Sequence, residues 1–200
     1  MSDAIPLFPL GTLLFPRGRI SLQIFEPRYM DMVKSCLRKG VGFGIVGLKS
    51  GSESVQAGVA IPKIYTTGVL AHIVDWHGLE HGRIGIVVEG SKRFSVQATS
   101  VQDDYLMLGD VEFLPEEQDD KLPTAHADLA GLLKQLAAHP SVAQTGVSFD
   151  YTSSACVAYC LAQLLPIPAE EKYELMCCDS VANVLARITL ITDRLSGREP

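Results

Sequence analysis

The sequence predicts an α+β fold: a sheet-forming half followed by a helical half. Three observations carry this. Between residues 20 and 113, β-branched and aromatic residues alternate with polar ones at period two, punctuated by glycine. A proline- and acid-rich stretch, Leu114 to Pro123, then interrupts the pattern. Beyond it, apolar residues recur at helical spacing. Apart from one helix that interrupts the first half, the period switches once, which argues against a parallel sheet alternating with helices throughout.

The elements follow in order. Ile20, Leu22 and Ile24 form one strand face. Pro27 suits the first turn of a helix, where a missing N–H costs nothing. Met30, Val33 and Leu37 recur along that helix, Lys34, Arg38 and Lys39 gather at its C-terminal end, and Gly40 offers the stop. Tyr65, Thr67, Val69, Ala71 and Ile73 make a long strand, followed by Ile84-Ile86-Val88, Phe94-Val96-Ala98, Leu106-Leu108 and Val111-Phe113. The segments His77–Gly82 and Glu89-Gly90-Ser91 read as short links of antiparallel meanders. In the second half, Leu129, Leu132, Leu133 and Leu136 share a helical face that ends at His139-Pro140. Val157, Cys160, Leu161 and Leu164 form the next stripe, stopped by Pro166. Glu170 and Glu171 suit a helix start after Pro168. Asp179 or Ser180 can cap a last helix carrying Val181, Val184, Leu185, Ile188, Ile191 and Leu195. The expected division is residues 1–115 and 116–200.

Composition bounds the function. The chain has 200 residues, 47% of them hydrophobic and 20% charged, enough to bury a sizeable core. A net charge of −6 argues against a general phosphate-backbone binder, which needs a concentrated basic face. No apolar run approaches a membrane-spanning length, and the start lacks a basic n-region, so a secretory signal is not expected. Five cysteines without framework spacing suggest reduced thiols and a cytoplasmic location.

Chemical motifs are sparse. Gly42 to Ser50 nearly spells a phosphate loop, but Leu48 separates Gly47 from Lys49, and the loop residues Gly51-Ser52-Glu53-Ser54 follow instead of a helix. A buried strand leaving into a loop accounts for it better. Cys156, Cys160, Cys177 and Cys178 lie in apolar helical stripes and are expected to pack as small hydrophobes without metal. Asp75, His77, Glu80 and His81 read as a solvated turn, and Tyr65 and Trp76 as parts of a sheet face. No cofactor is implied. Ser91 and Lys92 are strand neighbours and diverge, as do Lys34 and Ser35 in the helix, so no nucleophile with an adjacent base is evident.

Several blocks in fixed order resemble the Lon N-terminal domain, the substrate-engaging module of the Lon ATP-dependent protease. They are Ile5-Pro6-Leu7-Phe8-Pro9-Leu10, Phe25-Glu26-Pro27-Arg28-Tyr29, Phe43-Gly44-Ile45-Val46 and Gly68-Val69-Leu70-Ala71-His72-Ile73. Further on come Gly90-Ser91-Lys92-Arg93-Phe94 and Leu165-Pro166-Ile167-Pro168-Ala169-Glu170-Glu171-Lys172. The resemblance implies a PUA-like β barrel with one inserted helix, followed by a C-terminal helical bundle. Neither the nucleotide loop nor the Ser–Lys dyad of the full protease has a counterpart in this sequence. The expectation is therefore a non-catalytic, ATP-independent module, similar to stand-alone Lon-like proteins of bacteria, that binds unfolded or partner polypeptide as an adaptor or holdase. Leu13, Leu14, Phe15, Phe25, Glu26 and Arg28 are its candidate binding residues, the apolar ones as part of an exposed patch beside Leu7 and Phe8. A structural reading of the second block competes: Glu26 at a helix start, Arg28 in an ion pair and Tyr29 in the core. The alternative function is RNA binding through Lys63, Arg83, Lys92 and Arg93, the one plausible basic cluster.

Overall fold

A computed structural model describes residues 4–51, 62–116 and 119–197. Six strands form one mixed sheet: β1 (Ala4–Leu10), β2 (Arg19–Ile24), β3 (Phe43–Ser50), β4 (Lys63–Gly78), β5 (Ile84–Val101) and β6 (Met107–Phe113). Their order is β2-β5-β4-β3-β1-β6, and β6 also pairs with β5. The pairings of β5, β4, β3, β1 and β6 therefore return on themselves, with β2 attached outside the circuit along the first part of β5. All pairs are antiparallel except β1 with β3. The short link at 77–82 joins antiparallel β4 and β5, while the parallel pairing of β1 with β3 lies outside what the links indicate. The two strands run the same way because β2 and helix α1 (Pro27–Lys39) lie between them in the chain.

Strand β1 carries two prolines, which ordinarily argue against an inner strand. Its ladders explain the tolerance. Ala4 to Leu7 pair with β6, and Leu7 to Leu10 pair with β3. Pro6 and Pro9 thus each have a paired neighbour on one side only, so neither missing N–H breaks a double ladder.

Strand β5 runs unbroken for 18 residues, so Glu89-Gly90-Ser91 is not a link. Gly90 marks a close approach instead. The segment after β1 crosses over it: Arg17 N–H donates to Gly90 O at 2.7 Å, and Gly90 N–H donates to Gly18 O at 2.9 Å.

Helix α1 has the expected bounds, with Pro27 in its first turn and Gly40 left-handed at its end (φ 64°). Its buried face is Arg28, Tyr29, Met32, Val33 and Cys36; of the expected stripe Met30, Val33 and Leu37, Val33 is buried, Met30 is half-buried and Leu37 is 41% exposed. Tyr29 and Cys36 supply the apolar spacing that the aliphatic residues alone misplace. Burial pushes the Cys36 thiol above its usual pKa, which keeps it a packed hydrophobe.

The chain divides into two compact units, Met1–Pro115 and Glu116–Pro200. Among the described residues, the second contains α2 (Ala127–Ala137), the short α3 (Pro140–Ala143), α4 (Ser154–Leu164), α5 (Ala169–Met176) and α6 (Val181–Leu195). Helix α4 is its centre: every residue from Ser154 to Ala162 is buried, and α2, α5 and α6 pack around it. Small residues such as Ala155, Ala158 and Ala162 permit burial on all sides. Its start is capped twice. Ser153 Oγ accepts from Cys156 N–H at 2.9 Å, and the Asp119 carboxylate accepts from Ser153 Oγ and from Ala155 N–H. Part of the stretch read as a charged linker is thus a helix cap, while 117–118 lie outside the described residues. Ser180, not Asp179, caps α6, accepting from Asn183 N–H.

The Glu-Lys pair after Pro168 also has a structural role. Lys172 Nζ donates to Gln163 O at 2.7 Å, satisfying a carbonyl at the C-terminal end of α4. Half-burial holds the Lys172 ammonium below its usual pKa of 10.5. The unfolded chain therefore binds this proton more tightly than the folded one. Stability contributed here is expected to rise with pH between the lowered value and 10.5, and to fall again as Lys172 reprotonates on acidification. Urea midpoints measured from neutral pH to pH 10 should climb less steeply in Lys172→Met than in the wild type. Parallel curves would show that Lys172 does not carry the slope.

Candidate functional site

The candidate site is a corner of the first unit where β1, β2 and the start of α1 meet. A groove of about 190 Å³ opens there. Phe8, Pro9 and Leu10 of β1 form one wall, residues 21–24 of β2 the other, and Phe25, Glu26 and Tyr29 its end. The volume is below the roughly 300 Å³ at which drug-sized ligand pockets begin, so it fits a side chain better than a cofactor.

The Phe-Glu-Pro-Arg-Tyr block builds the end of this groove. Ile24 is in the core while Phe25, the next residue, is turned out and 60% exposed. Pro27 starts the helix directly after Glu26, fixing Arg28 and Tyr29 on its inner face. The Arg28 side chain is 6% exposed, and its bonds include three directed ones. Nε and Nη2 donate to Glu26 Oε2 at 3.1 and 2.8 Å, and Nη1 donates to the Tyr105 carbonyl at 2.7 Å. The guanidinium also lies 4.4 Å from the Tyr29 ring centre. Arg28 thereby ties α1 to the β5–β6 turn, where Tyr105 is held at φ 67° and is half exposed. Tyr29 packs on Phe8 with ring centres 4.1 Å apart, closing the groove floor.

The predicted binding residues separate into two groups. Phe25, Glu26 and Arg28 come together here, Phe25 and Glu26 lining the groove and Arg28 fixing Glu26 from behind. Leu13, Leu14 and Phe15 do not belong to an exposed patch: all three are buried, as are Leu7 and Phe8. They lie in the segment that crosses β5 at Gly90, so their side chains fill the core. Tyr105, which receives Arg28, was not among the candidates. Its sequence signals are the block Tyr105-Leu106, which also resembles the Lon N-terminal domain, and its place in a short polar turn, Gln102 to Leu106, closed by Tyr105 N–H to Gln102 O.

The basic residues are spread out. Arg83 precedes β5, Lys92 and Arg93 lie in its middle, and Lys63 begins β4, while Arg93 pairs in register with Val69. Nine positions of extended chain separate Arg83 from Lys92, on the order of 30 Å.

The remaining chemistry-bearing residues fall as follows. Gly44 to Ser50 of the near-phosphate loop lie in β3, and residues 52–61 after it are outside the described residues. Cys156 and Cys160 are buried in α4 with sulfurs 3.9 Å apart. Cys177 departs from the expected packing: it ends α5 and is exposed, because the helix stops before its stripe continues. Among the described residues, no three His, Cys, Asp or Glu side chains gather as a metal site. Trp76 lies in β4 opposite Ile86 of β5 and is 58% exposed. No helix among the described residues is long and apolar enough to cross a membrane.

The family model of the ATP-dependent protease La (LON) substrate-binding domain matches residues 4–194. A Lon protease of Parabacteroides distasonis is 30% identical over 138 residues, covering 68% of this chain and 16% of that protein. Lon protease 1 of Hydrogenovibrio crunogenus is 27% identical over 106 residues, 53% of this chain and 12% of that protein. The chain thus spans a small part of the curated relatives it matches. A crystal structure of a Lon N-terminal domain protein from Xanthomonas campestris has a TM-score of 0.73 at 28% identity, covering 94% of this chain and 98% of that one. The N-terminal domain of the Mycobacterium avium complex Lon protease reaches 0.60 at 14% identity, covering 93% and 96%, a likeness of fold alone.

Proposed function

Because this chain belongs to the ATP-dependent protease La (LON) substrate-binding domain family, we propose that it is a cytoplasmic, non-catalytic module that binds unfolded or partner polypeptide as an adaptor or holdase. The observation that carries this reading is the groove at the β1–β2–α1 corner. It has an aromatic floor, an exposed Phe25 at its rim and one carboxylate beside it. An apolar rim next to polar groups holds chain segments without demanding one sequence, since burial contributes about 25 cal/mol per Å² whatever the side chain. The closed circuit of strand pairings is read as a PUA-like barrel, and the second unit as its helical bundle. The RNA-binding alternative is disfavoured by the dispersal of Lys63, Arg83, Lys92 and Arg93.

The test is retention of a reduced, unfolded protein such as carboxymethylated lactalbumin by the purified chain. Retention should persist at high salt and weaken about three- to tenfold in Phe25→Ala, from loss of one buried aromatic. Absence of retention, or retention unaffected by Phe25→Ala with an unchanged fold, would refute this assignment of the site.

A further inference from the structure

The groove wall formed by β2 is more than an apolar surface. Strand β2 ends the sheet order and pairs only with β5 among the described residues. Residues 20–24 make no hydrogen bond on their other edge among the described residues. Across the groove, β1 is in a similar condition. Its pairing with β6 ends at Leu7, so residues 8–10 pair with β3 alone. Among the described residues, two strand segments with unpaired edges therefore border one groove.

We propose that β2 is a strand-addition site, taking an extended polypeptide segment that carries a large apolar side chain next to a basic residue. This rests on the polypeptide-binding reading and specifies how the chain is held. An unpaired edge presents alternating N–H and C=O groups whose natural complement is another extended backbone. Strand addition draws affinity from main-chain bonds and lets alternate side chains enter the groove, which matches a site with room for one large side chain. The charge of the occupant follows from Glu26. Both Arg28 bonds fall on its Oε2, leaving Oε1 with no partner among the described residues. Among the described residues, Glu26 is also the sole carboxylate or cation lining the groove, and its side chain is 20% exposed. A half-shielded acceptor at the end of the edge favours a cationic neighbour and disfavours an acidic one.

The experiment uses the full chain and three fluorescein-labelled octapeptides followed by anisotropy. All alternate leucine or valine with threonine. The first carries two lysines, the second two glutamates in their place, and the third is the lysine peptide N-methylated at alternate backbone amides. The lysine peptide is expected to bind, the glutamate peptide about tenfold more weakly and the N-methylated one about tenfold more weakly, as loss of two or three backbone bonds implies. Hydrogen exchange with the lysine peptide bound should slow at residues 19–24 and stay unchanged in 127–195. Glu26→Gln should narrow the difference between the lysine and glutamate peptides. Binding insensitive to N-methylation, or without protection at 19–24, overturns strand addition while leaving polypeptide binding intact. Protection at 19–24 that grows with protein concentration in the absence of peptide overturns it in favour of self-pairing of β2. If neither peptides nor unfolded lactalbumin bind, the polypeptide-binding reading itself fails.

Discussion

Arg28→Ala is expected to lower the stability of the first unit by about 2–4 kcal/mol, the range for removing one partner of a buried, hydrogen-bonded ion pair. The side chain it removes is 6% exposed and bonds two separate elements. Without it, Glu26 is left half-buried with no cation beside it, and the Tyr105 carbonyl loses its donor. The strained backbone at Tyr105, φ 67°, then has nothing holding it from the helix side. Arg28→Lys should recover little, because one ammonium cannot reach both the carboxylate and the carbonyl as the planar fork does. Urea unfolding followed by the fluorescence of the single tryptophan, Trp76, reports on this unit. A midpoint shift worth less than about 0.5 kcal/mol would show that the Arg28 bonds are replaced by water at no cost.

The helix that carries Arg28 shows what sequence reading reaches and what it does not. The bounds of α1 are legible because Pro27 and Gly40 impose backbone conformations that no tertiary contact needs to supply. Which face is buried is less legible, since that depends on what α1 packs against: Phe8 of β1 takes Tyr29, and Leu37 is left outside. The single switch from strand to helix spacing is likewise local and readable. The parallel pairing of β1 with β3 is not, because prolines disguise β1 and the pairing depends on ladders offset along its length. Part of the candidate site was visible as the Phe-Glu-Pro-Arg-Tyr block. Its neighbours Leu13, Leu14 and Phe15 look equally apolar in sequence, and only the crossing over β5 sends them inward. The edge of β2, unpaired among the described residues, has no sequence mark, since an edge is defined by which strands lie beside it and not by its own residues.

That crossing leads to the second large effect. Gly90→Ala is expected to destabilise the first unit by about 3 kcal/mol or more, through overpacking against a backbone that cannot yield. In an ordinary strand position, replacing glycine by alanine stabilises by about 0.5–1 kcal/mol, because the unfolded chain loses freedom. Here the sign reverses. A Cβ on Gly90 would fall onto the carbonyl oxygen of Phe15 and within 3.0 Å of Val69 Cγ1. The oxygen belongs to the main chain of a residue with no exposed surface. Arg17 and Gly18 are hydrogen-bonded to Gly90 itself, so the crossing segment cannot lift without breaking both bonds. Gly78→Ala is the control: nothing lies within 4 Å of its Cβ position, and its effect should stay within about 0.5 kcal/mol. Both variants are compared by urea midpoint with Trp76 fluorescence, at unchanged m-value. If Gly90→Ala and Gly78→Ala unfold at the same midpoint, the crossing has slack and Leu13, Leu14 and Phe15 are not locked into the core by it.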